Sequence, residues 1–208
     1  MAGIERFVAS DDPWALVLRS GEIPEDARCV LLWVQRAQRA TDNRAANLAV
    51  EIGNALKLPV VALFVLVLGY PDASARAYRF MAEGLAELPA ALAARGIAWA
   101  LRVGDPPTVV PGVATELGAA VVVTDLDPLR IARGWKAAVS DRLAAPCVEV
   151  ATDSIVPPST FPNLEYAART IRPKLWRTVA AEPGLLAAIP TVRAQQPLLT
   201  VDPGPPPM

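Results

Sequence analysis

The chain of 208 residues is 53% hydrophobic, and its 20 Lys and Arg against 21 Asp and Glu give a net charge of −1. This balance argues against nucleic-acid binding through a broadly basic surface. Histidine is absent from the sequence, which excludes Ser-His-Asp and Cys-His catalysis and every His-ligated metal site. We therefore predict no metal site.

The sequence also lacks clear signals for membrane insertion, secretion or disulfide formation. The longest apolar run, residues 60–69, is about half the roughly 20 residues that a membrane-spanning helix needs. The first residues carry acids and no continuous apolar segment, so no secretory signal is visible and a cytoplasmic protein is expected. Cys29 and Cys147 lack CxxC spacing and lie in apolar runs, which favours buried thiols over a disulfide or metal pair.

Residues 1–28 read as an N-terminal extension in which Trp14, Leu16 and Leu18 indicate a short strand or a helix packing on an edge. Apolar strand-like runs then alternate with amphipathic helical segments. The predicted strands are residues 29–34, 60–68, 98–103, 120–124 and 147–150. Because the runs are continuously apolar, each strand is expected to be buried on both faces. Residues 29–150 are therefore predicted to form an open, five-stranded parallel α/β sheet of Rossmann-like type, with helices on both faces.

Helix signals lie between these strands. Asp42 or Asn43 can cap the first helix, the second spans about residues 74–94, and the third follows Pro106 and Pro107. Gly118 is a plausible stop for the third helix. Beyond residue 150, residues 151–182 are predicted to form a connecting loop with a short helix, and residues 183–208 a Pro-rich, disordered tail. Together these two segments make an irregular C-terminal extension.

Two polar turns carry the functional signal. Residues 30–34 are apolar and are followed at once by polar side chains, namely Gln35, Arg36, Gln38, Arg39, Asp42 and Asn43. A second polar turn, with Asp125, Asp127, Pro128 and Arg130, follows the fourth predicted strand. In such sheets, ligands bind at the carboxyl ends of the strands where the winding reverses, so both turns are expected to border one crevice.

Simpler interpretations of the same residues stay open. Arg36 and Arg39 can be solvated charges, Trp33 can be a core residue, and Asp125 can cap a helix. Neither GxGxxG nor GxxxxGK[ST] occurs, so the common phosphate-binding turns are excluded. An alternative that the fold allows is a non-enzymatic module binding adenine nucleotides, as in universal stress proteins or electron-transfer flavoproteins. The missing glycine-rich turn argues against it.

Four motifs then carry a family resemblance. They are W-x-Q-R-x-Q-R-x-x-D-N at residues 33–43, FMAEGL at 80–85, VTDLDPLR at 123–130 and EYAARTIRPK at 165–174. In this order and at this spacing they resemble the class II DNA photolyases, over about residues 29–178. The resemblance implies the N-terminal antenna-binding domain and the start of the connecting loop.

The resemblance also implies a mechanism. Photolyases repair cyclobutane pyrimidine dimers in DNA by light-driven electron transfer from reduced FAD. An antenna such as 8-hydroxy-5-deazaflavin can pass excitation energy to that FAD. The FAD and substrate pocket belong to a C-terminal helical domain of about 250 residues, by the resemblance, so this chain is expected to lack catalytic residues and to be inactive alone.

The same resemblance suggests which residues bind the antenna and which partner completes the enzyme. The predicted antenna-binding residues are Trp33, Gln35, Arg36, Arg39, Asn43, Asp125, Pro128 and Arg130. A separate FAD-binding photolyase chain is the expected partner, with DNA contacted only through it and no membrane involved. The sequence departs from the family at Ala37 and Arg44, where relatives tend to have Asp and Trp, and at residues 151–154.

Overall fold

The computed structural model describes residues 3–207, which form a single six-stranded sheet in the order β1-β6-β5-β2-β3-β4. Its strands are β1 Ala15–Arg19, β2 Cys29–Val34, β3 Val60–Leu66, β4 Ile97–Val103, β5 Ala119–Asp125 and β6 Cys147–Val150. Strands β2 to β6 are parallel, and β1 pairs antiparallel with β6. The predicted open α/β architecture is confirmed, and the sheet has one strand more than the five predicted.

The described residues form five α-helices, of which the first four pack on this sheet. They are α1 Arg44–Leu56, α2 Ala75–Ala93, α3 Pro106–Leu117, α4 Arg130–Arg142 and α5 Ala168–Ala181. Ser74 caps α2 by accepting a hydrogen bond from the Ala77 N–H. Two predicted helix ends are in place: Asn43 caps α1 by accepting a hydrogen bond from the Ala46 N–H, and Gly118 ends α3 at φ 65°. A left-handed residue at that position favours glycine. Within residues 3–207, no helix is both long and apolar enough to cross a bilayer.

The core lies on both sides of the sheet. Side chains of β2 alternate between the two faces, with Leu32 packing in one cluster and Leu31 in the other. Helices α1 and α2 cover the first face, and α3 and α4 cover the second. Because β2 pairs with both β3 and β5, the winding of the sheet reverses between β2 and β5, as the sequence predicted.

The two ends of the chain differ from the interior. β1 is a short edge strand, which is one of the two structures predicted for residues 1–28. Helix α5 has no buried residue, and Trp176 on it is 67% exposed. The Pro-rich tail departs from the prediction of disorder, because body side chains such as Arg95 and Asn47 hydrogen-bond its backbone and because Val192 packs on the core.

Candidate functional site

A cleft of about 540 Å³ opens at the carboxyl ends of β2 and β3. Small-molecule sites in proteins typically measure roughly 300–1,000 Å³. Five aromatic side chains lie in its lining, namely Trp33, Phe64, Tyr70, Tyr78 and Trp135. Polar groups also line it, namely Gln35, Arg36, Gln38 and Asp127. The cleft is thus suited to a planar, largely apolar molecule with a few polar groups.

One wall of the cleft is the β2–α1 turn, and Asp125 at the end of β5 holds it. The Asp125 carboxylate accepts three backbone hydrogen bonds, from the N–H groups of Gln35 at 2.8 Å, Arg36 at 2.7 Å and Ala37 at 2.9 Å. Only 2% of Asp125 is exposed. The carboxylate therefore bridges the two strands that flank the reversal of the sheet and sets the path of the turn.

The charge state of Asp125 follows from these contacts. Burial raises its pKa, and the three backbone N–H donors oppose that rise because they stabilise the ionised form. All three N–H groups need an acceptor oxygen, and the Asp125 carboxylate supplies it. Asp125 therefore has a structural role: it holds the backbone of the first turn.

The neighbouring residue, Thr124, orients Gln35. Its hydroxyl donates to the Trp33 carbonyl at 2.9 Å and accepts from the Gln35 side-chain amide at 2.8 Å. Thr124 is fully buried. The Gln35 amide is consequently fixed at the cleft wall by a hydrogen bond to a buried hydroxyl.

The two arginines of the first turn meet the connecting loop. Asp153 pairs with Arg36 at 3.1 Å and with Arg39 at 2.5 Å, and Arg39 also donates to the Thr152 carbonyl at 2.9 Å. Arg36 lines the cleft and keeps 51% of its side chain exposed, whereas Arg39 points to the loop. Asp153 thus joins the loop that follows β6 to the first turn.

Asn43 is buried, and its side chain hydrogen-bonds backbone groups of the first turn and of α1. Its side-chain oxygen caps α1 by accepting the Ala46 N–H at 2.9 Å. Its amide nitrogen donates to the carbonyls of Ala37 at 3.1 Å and Arg39 at 2.9 Å. Asn43 therefore closes the turn from the inside, behind the cleft surface.

Three aromatic side chains of the cleft, Tyr70, Tyr78 and Trp135, come from the segments after β3 and β5. The rings of Tyr70 and Trp135 pack edge to face with centroids 5.9 Å apart. The Tyr78 hydroxyl accepts the Tyr70 N–H at 2.8 Å and donates to the Val67 carbonyl at 2.7 Å, which fixes the β3–α2 loop. Burial and the Asp127 carboxylate raise the pKa of Tyr70, so its hydroxyl stays protonated at neutral pH.

A buried ion pair supports the β5–α4 loop. Lys136 of α4 pairs with Glu149 of β6, and the two side chains are only 4% and 9% exposed. The same ammonium donates to the Asp127 carbonyl at 3.1 Å. This contact links the cleft-lining segment around Asp127 to the sheet.

The structure brings some of the predicted binding residues together and not others. Trp33, Gln35 and Arg36 line the cleft, and Trp33 does so as a core residue that is 1% exposed. The remaining five lie behind or beside the cleft lining, namely Arg39, Asn43, Asp125, Pro128 and Arg130. Pro128 and Arg130 are exposed at the start of α4. Ligand contacts by these eight residues stay a prediction.

Sequence reasoning missed the contribution of β3 and of the segment after it. Phe64 near the end of that strand, and Tyr70 and Tyr78 beyond it, supply three of the five aromatic rings. The rule that ligands bind at the carboxyl ends of parallel strands also applies to β3. Aromatic residues following that strand were the available signal.

The sequence is similar to those of a known protein family. The DNA photolyase family matches residues 30–197. A deoxyribodipyrimidine photo-lyase of Methanothermobacter thermautotrophicus is 35% identical over 76% of this chain and 36% of its own length. One of Arabidopsis thaliana is 39% identical over 70% of this chain and 30% of its own. The chain thus spans about a third of the length of these curated relatives.

Structural similarity agrees with the sequence match. A Synechocystis cryptochrome superimposes with a TM-score of 0.65 at 14% identity, over 90% of this chain and 40% of that one. At this identity the likeness concerns the fold. The family match over most of the sequence carries the assignment: the chain belongs to the DNA photolyase family.

Proposed function

We propose that this chain is the antenna-type α/β domain of a class II photolyase and that its cleft binds a light-harvesting pigment. One observation carries the proposal: five aromatic side chains line a cleft at the carboxyl ends of β2 and β3. Planar pigments gain affinity by packing against aromatic rings. 8-Hydroxy-5-deazaflavin, or a pigment of similar shape, is the proposed occupant.

The residues present fit such a pigment. Tyr70 and Trp135 would pack against its ring system, while the fixed amide of Gln35 and the guanidinium of Arg36 would meet its polar edge and any acidic tail. When bound, the pigment would absorb light and pass excitation energy to a flavin. The chain's own residues hold and orient it and keep water from its rings.

We also propose that dimer repair needs a separate FAD-binding chain and that this protein does not repair DNA alone. Helix α5 supports this proposal, because its outer face presents Arg169, Arg172 and Trp176 to solvent. None of the basic residues on that face forms an ion pair in the described part of the chain, which leaves them free to meet an acidic partner surface.

A titration with a matched pair of variants tests pigment binding. Ala77 of α2 lines the cleft, whereas Ala86 of the same helix is exposed and does not. Ala77→Trp is expected to fill the cleft without removing an anchoring contact, and Ala86→Trp adds the same bulk elsewhere. The readout is the fluorescence of added 8-hydroxy-5-deazaflavin, with a folate, ATP, AMP and FAD as comparison ligands.

The parent protein and Ala86→Trp should bind the deazaflavin equally, and Ala77→Trp at least about tenfold more weakly, a loss of about 1.4 kcal/mol. If the parent protein binds neither the deazaflavin nor the folate, the proposal is contradicted. Equal binding by Ala77→Trp would place the pigment outside this cleft. Dimer-containing DNA with light and FAD should stay unrepaired by this chain, and repair would overturn the proposed need for a partner.

A further inference from the structure

Residues 190–204, called the strap below, have no regular secondary structure and lie against helix α1 and strand β4. Their backbone is held by side chains of the folded body. Asn47 donates to the Pro190 carbonyl at 2.7 Å, and Arg95 donates to the Val192 carbonyl at 2.8 Å. Asn54 donates to the Arg193 carbonyl at 3.0 Å.

Two of these three anchors, Asn47 and Arg95, are themselves buried. Arg95 is 3% exposed and also donates to Ala40 and Asn47. Its guanidinium lacks a carboxylate partner among the described residues and is satisfied by carbonyl and amide oxygens. Removing the strap would leave N–H donors of the buried Arg95 guanidinium without an acceptor, which is costly. The folded body therefore requires the strap in this position.

The last part of the strap covers strand β4. That strand pairs only with β3 among the described strands, so its other side is a sheet edge with unpaired backbone groups. There the Leu101 N–H donates to the Pro203 carbonyl at 2.9 Å. Arg102 holds the neighbouring Asp202 through its carbonyl at 3.0 Å and its carboxylate at 3.7 Å.

Close approach to β4 depends on Gly204. Its φ of 78° is a conformation that favours glycine, and an added Cβ would overlap the Leu101 carbonyl oxygen. Leu199 and Val201 of the strap pack on the core cluster beneath. The strap thus makes hydrogen-bonded, apolar and tightly fitted contacts with the edge.

Open edge strands pair readily with other chains, and proteins commonly cover them. We propose that the strap closes the β4 edge against pairing with a second copy of this chain. The occupant follows from the contacts, since the Pro203 carbonyl of the strap accepts the Leu101 N–H as the carbonyl of a neighbouring strand would. The family match ends at residue 197, so the contacts of Asp202 to Gly204 lie outside the matched residues.

The test is Gly204→Val in the full chain, with Gly184→Val as the matched control. Gly184 has no atom within 4 Å of an added Cβ, so the same substitution there should be harmless. Arg102→Ala is a second variant, which releases Asp202 without adding bulk. The readouts are hydrogen exchange at the Leu101 amide and sedimentation velocity over a concentration series.

Gly204→Val and Arg102→Ala should lose protection at the Leu101 amide and form larger species as concentration rises. The parent and Gly184→Val should keep the protection and remain monomeric. Unchanged protection in Gly204→Val would overturn the strap as the cover of the edge. Loss of protection without self-association would overturn its guarding role, as would equal self-association of Gly184→Val.

Discussion

Replacing Asp125 by Ala should loosen the first wall of the cleft and destabilise the whole domain. The substitution removes the acceptor of three backbone N–H groups, those of Gln35, Arg36 and Ala37. Hydrogen bonds to a charged group contribute about 1.5–3 kcal/mol each. The N–H groups of Gln35 and Arg36 can regain water, while the Ala37 N–H stays buried without a partner.

Removing a buried carboxylate also relieves its desolvation, which lowers the net cost. We therefore expect Asp125→Ala to reduce the free energy of unfolding by about 3–4 kcal/mol. Asp125→Asn keeps one acceptor oxygen, which can serve Arg36 and Ala37, so about half that loss is expected. Both values are measured by urea denaturation with linear extrapolation.

Asp127→Ala is the matched control, two residues further along the chain. Its carboxylate accepts only the exposed Leu129 N–H at 2.9 Å. Surface changes of this kind usually fall within about 0.5 kcal/mol. If Asp125→Ala costs no more than Asp127→Ala, the claim that Asp125 anchors the turn is refuted.

Two further predictions concern the buried ion pair and the thiols. Lys136→Met should lower the free energy of unfolding by about 3–5 kcal/mol because it leaves the buried Glu149 without its ion-pair partner. The double variant Lys136→Met/Glu149→Leu should recover much of that loss in the same urea assay. Burial raises the pKa of Cys29 to about 11 and that of Cys147 to about 12. Both thiols therefore stay protonated at pH 8 and should not react with a disulfide reagent until urea unfolds the protein. Rapid labelling of the folded chain would contradict this.

The interior of the fold was predictable because its signals are local. Continuous apolar runs such as Cys29–Val34 are typical of parallel strands buried on both faces, and Asn43 and Gly118 mark helix ends through their own chemistry. For the residues of β1, the sequence left two options open, a short strand or a helix. β1 lies at an edge, its side chains are mostly half-buried, and its partner β6 is far away in sequence.

The tail and the individual roles of the site residues depend on distant partners. A Pro-rich stretch indicates disorder when read locally, whereas its contacts come from Asn47, Asn54 and Arg95 in the body. Likewise, the polar turn after β2 was placed correctly at the cleft. Only the pairing of β2 with β5 shows that Asp125 accepts hydrogen bonds from backbone N–H groups and that Gln35 faces the cleft.

The most direct test of the central claim is the absorption spectrum of the protein purified from its own host. A pigment held in the cleft should add a near-ultraviolet or visible band that co-elutes with the chain and disappears in Ala77→Trp. A spectrum with only the polypeptide band, together with no uptake of added deazaflavin or folate, would contradict the claim that this domain binds an antenna.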